Sequence, residues 1–172
     1  MDFVDVELDG EVWEVSTVYA PCVAIGEALR LARDAGCELP SPQLADAIWL
    51  AADAKLLPMP RAHDGTPRTM ASEDVFLDQQ ARILGQLEAF PQAQLVAGCF
   101  KDVVLVGGKL ALYGWHVADE DAVDWMHEHP GIKLHAAKTA HLGARVVQPV
   151  FGGHALSWRD YSQGARFVRR KA

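Results

Sequence analysis

Cys99 and His116 are the pair in this chain whose types and spacing first suggest chemistry. Between them run Lys101-Asp102-Val103-Val104-Leu105-Val106 and Lys109-Leu110-Ala111-Leu112-Tyr113-Gly114-Trp115, joined by Gly107-Gly108. Two β-rich runs about a Gly-Gly pair read as a tight hairpin, because two-residue turns need backbone angles that glycine adopts without steric cost. Facing residues in such a hairpin have numbers with a constant sum. Leu105 then faces Leu110, Asp102 faces Tyr113 and Cys99 faces His116. Cross-strand neighbours lie ~5 Å apart, so a thiol and an imidazole would sit side by side. That is the beginning of a nucleophile–base pair or of a zinc site. Strict alternation groups Cys99, Lys101, Val103, Leu112, Gly114 and His116 on one face, and Phe100, Asp102, Val104, Ala111, Tyr113 and Trp115 on the other. Asp102 therefore points away from His116 unless a bulge re-aims it.

A second polar cluster follows: Gly152-Gly153-His154, then Trp158-Arg159-Asp160-Tyr161-Ser162-Gln163-Gly164. His, Asp, Tyr and Ser between glycines, just before a closing strand, is the composition of a site loop. The bland alternative is a turn in which Asp160 and Ser162 bond the nearby backbone. A second thiol, Cys22, follows Pro21 at the start of a helical pattern, where a helix dipole lowers a thiol pKa. Four more histidines, His127, His129, His135 and His141, lie in residues 119–145. They lack the spacing of a metal site, and a solvated surface is the plainer reading.

The elements that must position these groups are legible in outline. Asp9-Gly10 marks an N-terminal hairpin over residues 3–18, with Val4, Val6, Leu8, Trp13 and Val15 on its buried face and Asp5, Glu7 and Glu14 on its wet face. Pro21–Ala35 reads as a helix stopped at Gly36. Ser41-Pro42 opens a second helix carrying Leu44, Ile48, Ala51 and Ala52. Residues 58–71, rich in proline and glycine, read as a long surface loop, a lid or rim. Ser72 opens a third helix to about Phe90. After the Cys99–His116 ribbon come a short helix from Asp119 to about His129 and strands at Arg145–Phe151 and Ala165–Arg169. The expected fold is α+β in a single domain over 1–172: an antiparallel sheet built from hairpins (C-terminal strands about 99–169), with three main helices from about 21–90 packed on one face.

Composition narrows the function classes. The chain has 172 residues, half of them hydrophobic, enough to bury a core without disulfides or a structural metal. A net charge of −7 argues against general nucleic-acid binding, although Arg166, Arg169, Arg170 and Lys171 leave the tail locally basic. Three scattered cysteines give no disulfide framework. No apolar run approaches the ~20 residues of a membrane helix. The first residues have neither a basic n-region nor an apolar h-region, so the expectation is a protein made in the cytoplasm without a signal peptide.

The polar motifs resemble those of a family of largely uncharacterised bacterial proteins, many of them secreted and some carrying peptidoglycan-binding modules. Family members read Ala-Gly-His-Lys-Lys-Asp-Val-Val, Tyr-Gly-Trp-His, Ile-Gln-Pro-Leu and Asp-Tyr-Ser-His-Gly-Ile-Arg-Leu-Val. This chain has Ala97-Gly98-Cys99-Phe100-Lys101-Asp102-Val103-Val104, Tyr113-Gly114-Trp115-His116, Val147-Gln148-Pro149-Val150 and Asp160-Tyr161-Ser162-Gln163-Gly164-Ala165-Arg166-Phe167-Val168. The likeness extends to Glu38–Pro42 and Asp46–Trp49. Cys99 and Gln163 stand where the family has histidines. The resemblance implies that Cys99, His116, His154 and Asp160 gather around one pocket as catalytic groups, either as a thiol–imidazole–carboxylate set or as ligands to zinc. It associates Asp102, Tyr161, Ser162 and Arg166 with substrate. The implied substrate class is cell-wall peptide or glycan. The favoured reading is a hydrolase-like protein of the bacterial envelope, phage-encoded and with reduced activity, which without a signal peptide would reach the wall by holin release, in a virion or through a secretion machine. The alternative is a non-catalytic structural or binding component of a phage particle or secretion device, whose partners are proteins of that assembly.

Overall fold

The computed structural model describes residues 1–61 and 66–171. The N-terminal hairpin forms as the Asp-Gly pair demands. β1 (Phe3–Leu8) and β2 (Glu11–Ser16) pair antiparallel, Phe3 with Ser16 and Leu8 with Glu11. Asp9 and Gly10 at the turn have φ of 53° and 79°, the left-handed angles of a tight hairpin turn. The Gly107-Gly108 turn does the same for β6 (Lys101–Val106) and β7 (Lys109–Ala118), and Asp102 pairs with Tyr113 in the expected register.

Both hairpins are built into larger sheets. β3 (Ala20–Pro21), β9 (Ala144–Phe151), β8 (His135–Ala136) and β10 (Gln163–Ala165) join the central ribbon in a six-stranded sheet ordered β3-β10-β6-β7-β9-β8. β11 (Val168–Arg170) leaves that sheet and pairs with β2, giving the three-stranded order β1-β2-β11. The single closing strand expected near Ala165–Arg169 is thus two strands, one in each sheet. β10 runs parallel to β6, and the short β4 (Ala54–Lys55) runs parallel to β5 (Val96–Ala97), so the fold is α+β with mostly antiparallel sheets.

Among the described residues there are three longer helices: α1 (Ile25–Asp34), α2 (Pro42–Ala51) and α4 (Glu73–Leu87). Two short ones, α3 (Pro67–Met70) and α5 (Ala122–Glu128), accompany them. Ser41 caps α2, its hydroxyl accepting the Leu44 N–H at 3.1 Å. The expectation that the helices share one face of the sheet does not hold. Ile25, Ala28 and Ala32 of α1 pack on Val103, Leu112 and Ala165, whereas Ala45 of α2 packs on Val104, Ala111 and Tyr113. Since neighbouring residues of a strand point to opposite sides, α1 and α2 cover opposite faces. α2 can do this because Leu44, Ile48 and Trp49 also meet Val6, Val15 and Val168 of the smaller sheet, so it lies between two sheets.

The loop expected at 58–71 falls partly outside the described residues (62–65). Its described end is packed down. Met70 is buried against Trp115 and Tyr161, and the Arg61 N–H donates to the Tyr161 hydroxyl at 2.8 Å.

Candidate functional site

A break in β7 decides where the candidate residues go. Gly114 and Trp115 have φ of 100° and 62°, and the register with β9 shifts between Leu112 and Gly114. This is a bulge, and it inverts the alternation beyond it. Trp115 moves to the α1 face, where the Lys101 ammonium lies 5.7 Å from its ring centre. His116 moves to the α2 face, beside Tyr113 and on the same side as Asp102. Cys99 and His116 are therefore not the side-by-side pair that strict alternation implies.

On the α2 face the polar groups are sealed. Asp46 is fully buried, and one of its oxygens accepts both the Tyr113 hydroxyl and His116 Nε2, each at 2.7 Å. The other accepts the Thr139 N–H at 2.6 Å. Burial alone would raise the Asp46 pKa, but the bonds from His116, Tyr113 and Thr139 hold it below the ordinary value. Trp49, one turn along α2, stacks on the His116 ring at 5.5 Å. Asp102 approaches His116 from the other side, across Gly114. A β-carbon on Gly114 would lie 3.4 Å from Asp102 Oδ2 and 3.3 Å from His116 Cε1. Burial raises the Asp102 pKa to about 6, against the pull of Arg166, His116 and the Tyr19 hydroxyl. The Tyr113 hydroxyl, expected to serve Asp102 across the strands, serves Asp46 instead.

Arg166, expected to touch substrate, is wholly enclosed. Its guanidinium donates to the carbonyls of Ser16 at 2.5 Å and of Val96, and lies 3.9 Å from the centre of the Tyr19 ring. It joins the ends of β2 and β5 to the β10–β11 connection. Cys99 packs with Ala54, Leu56, Ile83 and Phe100, and burial pushes its thiol up to about 12. In that state it is a small apolar core residue, not a thiolate nucleophile.

The α1 face holds the other half of the expected set. Asp160 is buried, bonded to Lys101 Nζ at 3.0 Å and to the N–H and hydroxyl of Ser162 at 2.8 and 2.7 Å. Burial would raise its pKa, but Lys101 and Ser162 hold it below the ordinary value. His154 is half-buried, stacked on Trp158 with ring centres 4.6 Å apart and edge-on to Phe151 at 4.8 Å. Burial and then Lys101 lower its pKa, while Asp160 acts the other way, so the imidazole is neutral at pH 7. His154 and Asp160 thus share a neighbourhood, and the six-stranded sheet separates them from His116. Tyr161 is buried, its hydroxyl accepting from the Arg61 backbone. Gln163, where the resemblance has a histidine, is fully buried and donates through Nε2 to the carbonyls of Val23 at 2.5 Å and Trp158 at 3.1 Å.

Cys22 is half-buried with a φ of 52°, ahead of the Ala24 N-cap of α1. Burial raises its thiol pKa, with Arg159 and Asp160 acting in opposite directions, so the helix dipole does not activate it as expected. No group of three or more His, Cys, Asp and Glu among the described residues is placed to hold a metal ion. The cavity of about 340 Å³ beside His141 is bounded by Asp119, Thr139 and Arg145, and a second lies against Arg61, Glu128 and His129. Neither includes a residue of the expected set.

Asp46 is the polar centre that residue types and spacing underweighted. Its signal was visible: one carboxylate in a helix otherwise composed of Pro, Gln, Leu, Ala, Ile and Trp. A charge on such a segment calls for buried partners. No protein-family model, no curated protein and no solved structure matches the chain.

Proposed function

We propose that the chain is a non-catalytic binding component directed at the bacterial cell wall, built on a hydrolase-like frame and working from a phage particle or secretion device. The motif resemblance supplies the cell-wall direction. The observation that carries the non-catalytic reading is the engagement of the acid–base groups. Cys99 is a core thiol with a pKa near 12, His116 is spent on Asp46, and Asp160 is spent on Lys101 and Ser162. All three side chains are at most 3% exposed, closed off from a polymeric substrate.

The hydrolase reading is favoured by one arrangement. A thiol (Cys22), an imidazole (His154) and a carboxylate (Asp160) lie around the same end of the α1 face, and Asp160 acts electrostatically on both of the others. Purified peptidoglycan separates the two readings. The binding reading expects wild type and His154→Ala to co-sediment with it and release no soluble fragments. Fragment release by wild type that His154→Ala abolishes establishes the hydrolase instead. Failure of the folded protein to co-sediment removes the cell-wall direction altogether.

A further inference from the structure

Where β9 ends, three aromatic rings run outward from the core to solvent. Phe151 is 46% exposed, and His154 and Trp158 are half-buried. A single exposed apolar residue is ordinary on a protein surface. What sets these rings apart is that each is held in place. Phe151 pairs with Leu112 in the β7–β9 register, so its side chain stands on the α1 face beside that core leucine. The far end of its ring lies against Gly153, where a β-carbon would come within 2.6 Å of Phe151 Cζ. Gly153 does not have a left-handed φ, so here glycine supplies room for the ring and not a backbone angle. His154 meets Phe151 edge-on and lies flat on Trp158, their planes 8° apart. Trp158 packs in turn with α1, Trp115 and Tyr161.

Charge narrows what such a surface can bind. Lys101 and Asp160, the charged groups that act on His154, are bonded to each other at 3.0 Å. Their opposite fields offset each other at the rings, so neither an anion nor a cation is selected. Exposed Arg159 acts on Cys22 and is not among the charges felt by His154. The His154 ring nitrogens have no hydrogen-bond partner among the described residues. A neutral imidazole offers one donor and one acceptor, the complement of a hydroxyl group. Size argues against a second copy of the chain. Three part-exposed rings offer a few hundred Å² at most, against the ~800 Å² that each partner gives to a stable protein interface.

We infer that Phe151 and His154, backed by Trp158, form a platform for one sugar ring of a glycan strand. A sugar is neutral, has a flat face of C–H bonds to lie on the Phe151 ring, and carries hydroxyls that pair with the imidazole. That the sugar is an N-acetylated one rests on the cell-wall reading above, and the platform narrows that reading from wall peptide to wall glycan.

The test is a saturation-transfer NMR titration with tetra-N-acetylchitotetraose, a soluble glycan that carries no peptide. Wild type is expected to bind it, and Phe151→Ala to bind about tenfold more weakly, as for loss of an aromatic anchor. Phe151 is nearly half exposed, so its loss leaves the core intact. Gly153→Ala keeps every ring but displaces Phe151, and is expected to weaken binding about threefold. His154→Ala keeps Phe151 and is expected to lose about as much, which still lets it sediment with excess polymer. Leu84→Ala, at a 64% exposed leucine of α4, is expected to change nothing. Wild type that sediments with peptidoglycan but ignores the tetrasaccharide overturns the platform and leaves the wall reading standing. Tetrasaccharide binding without sedimentation does the reverse. Equal affinity in wild type and Phe151→Ala overturns the platform, as does a wild-type dimer that Phe151→Ala converts to monomer in sedimentation velocity.

Discussion

The two faces of the six-stranded sheet handle polar side chains in different ways. On the α2 face, Asp46, Tyr113, His116 and Asp102 are all at most 6% exposed, and Tyr113 and His116 both bond to Asp46. On the α1 face, polar groups grade outward from the buried Lys101–Asp160 pair to half-buried His154 and exposed Arg159. A sealed network fixes one packing of helix on sheet, because each member leaves a costly unpaired group if the packing slips. A graded network keeps its outer members free to meet a partner. Polar residues of similar chemistry thus do structural work on one face and remain available on the other.

The largest test of this contrast is Asp46→Ala. It leaves the Tyr113 hydroxyl, the His116 imidazole and the Thr139 N–H without their common acceptor, inside a closed core. Losses for breaking such buried networks run to about 4 or 5 kcal/mol, enough to unfold a marginal domain. Urea denaturation should show the loss. A variant within about 1 kcal/mol of wild type would mean that water reaches the α2 face.

Gly114→Ala should follow at about 3 kcal/mol, from a left-handed backbone angle and from crowding between Asp102 and His116. Gly108→Ala is the control. It has a φ of 78° but open space around the new carbon, so it carries the backbone strain alone. If the two variants lose equal stability by denaturation, the approach of Asp102 to His116 across Gly114 contributes nothing.

The bulge at Gly114 also marks where the sequence stopped being readable. Both hairpin registers followed from glycine-containing turns, because two left-handed residues in succession leave little choice of partner. The faces of β1 and β2 followed from simple alternation. Beyond Gly114, alternation gave the wrong face for Trp115 and His116, since the inversion depends on a left-handed tryptophan that no local preference requires. The helices were legible individually, through Ser41-Pro42 above all. That α1 and α2 flank the sheet was not, because which face a helix covers is set by chain crossings. Of the four groups expected around one pocket, His154 and Asp160 lie near each other, and His116 lies across the sheet from them. Cys99 and Arg166 were misread as site groups, because a cysteine or an arginine in a motif looks alike whether it meets a substrate or a core.

The smallest expected effect is a pair of opposing pH dependences, one from each face. Asp102 has a folded pKa raised to about 6, so the fold binds its proton more tightly than the unfolded chain does. Its contribution is complete below the ordinary carboxyl value of ~4 and is lost as pH rises through 6, by no more than about 3 kcal/mol. His154 is shifted the other way, its folded pKa lowered by burial and Lys101. Its contribution is complete above the ordinary imidazole value of ~6.5 and is lost as pH falls toward the folded value. Asp46 and Asp160, with lowered pKa values, lose stability only as pH falls below the ordinary carboxyl range. Between those limits Asp102 and His154 oppose each other in the wild type. Asp102→Asn also removes a carboxylate from beside Arg166, so the slope with pH, not the level, is the readout. Measured by urea denaturation from pH 4.5 to 7, Asp102→Asn should gain stability with rising pH relative to wild type, and His154→Ala should lose it. Slopes of the same sign in the two variants would mean that the sealed and the graded face do not differ in how they hold a proton.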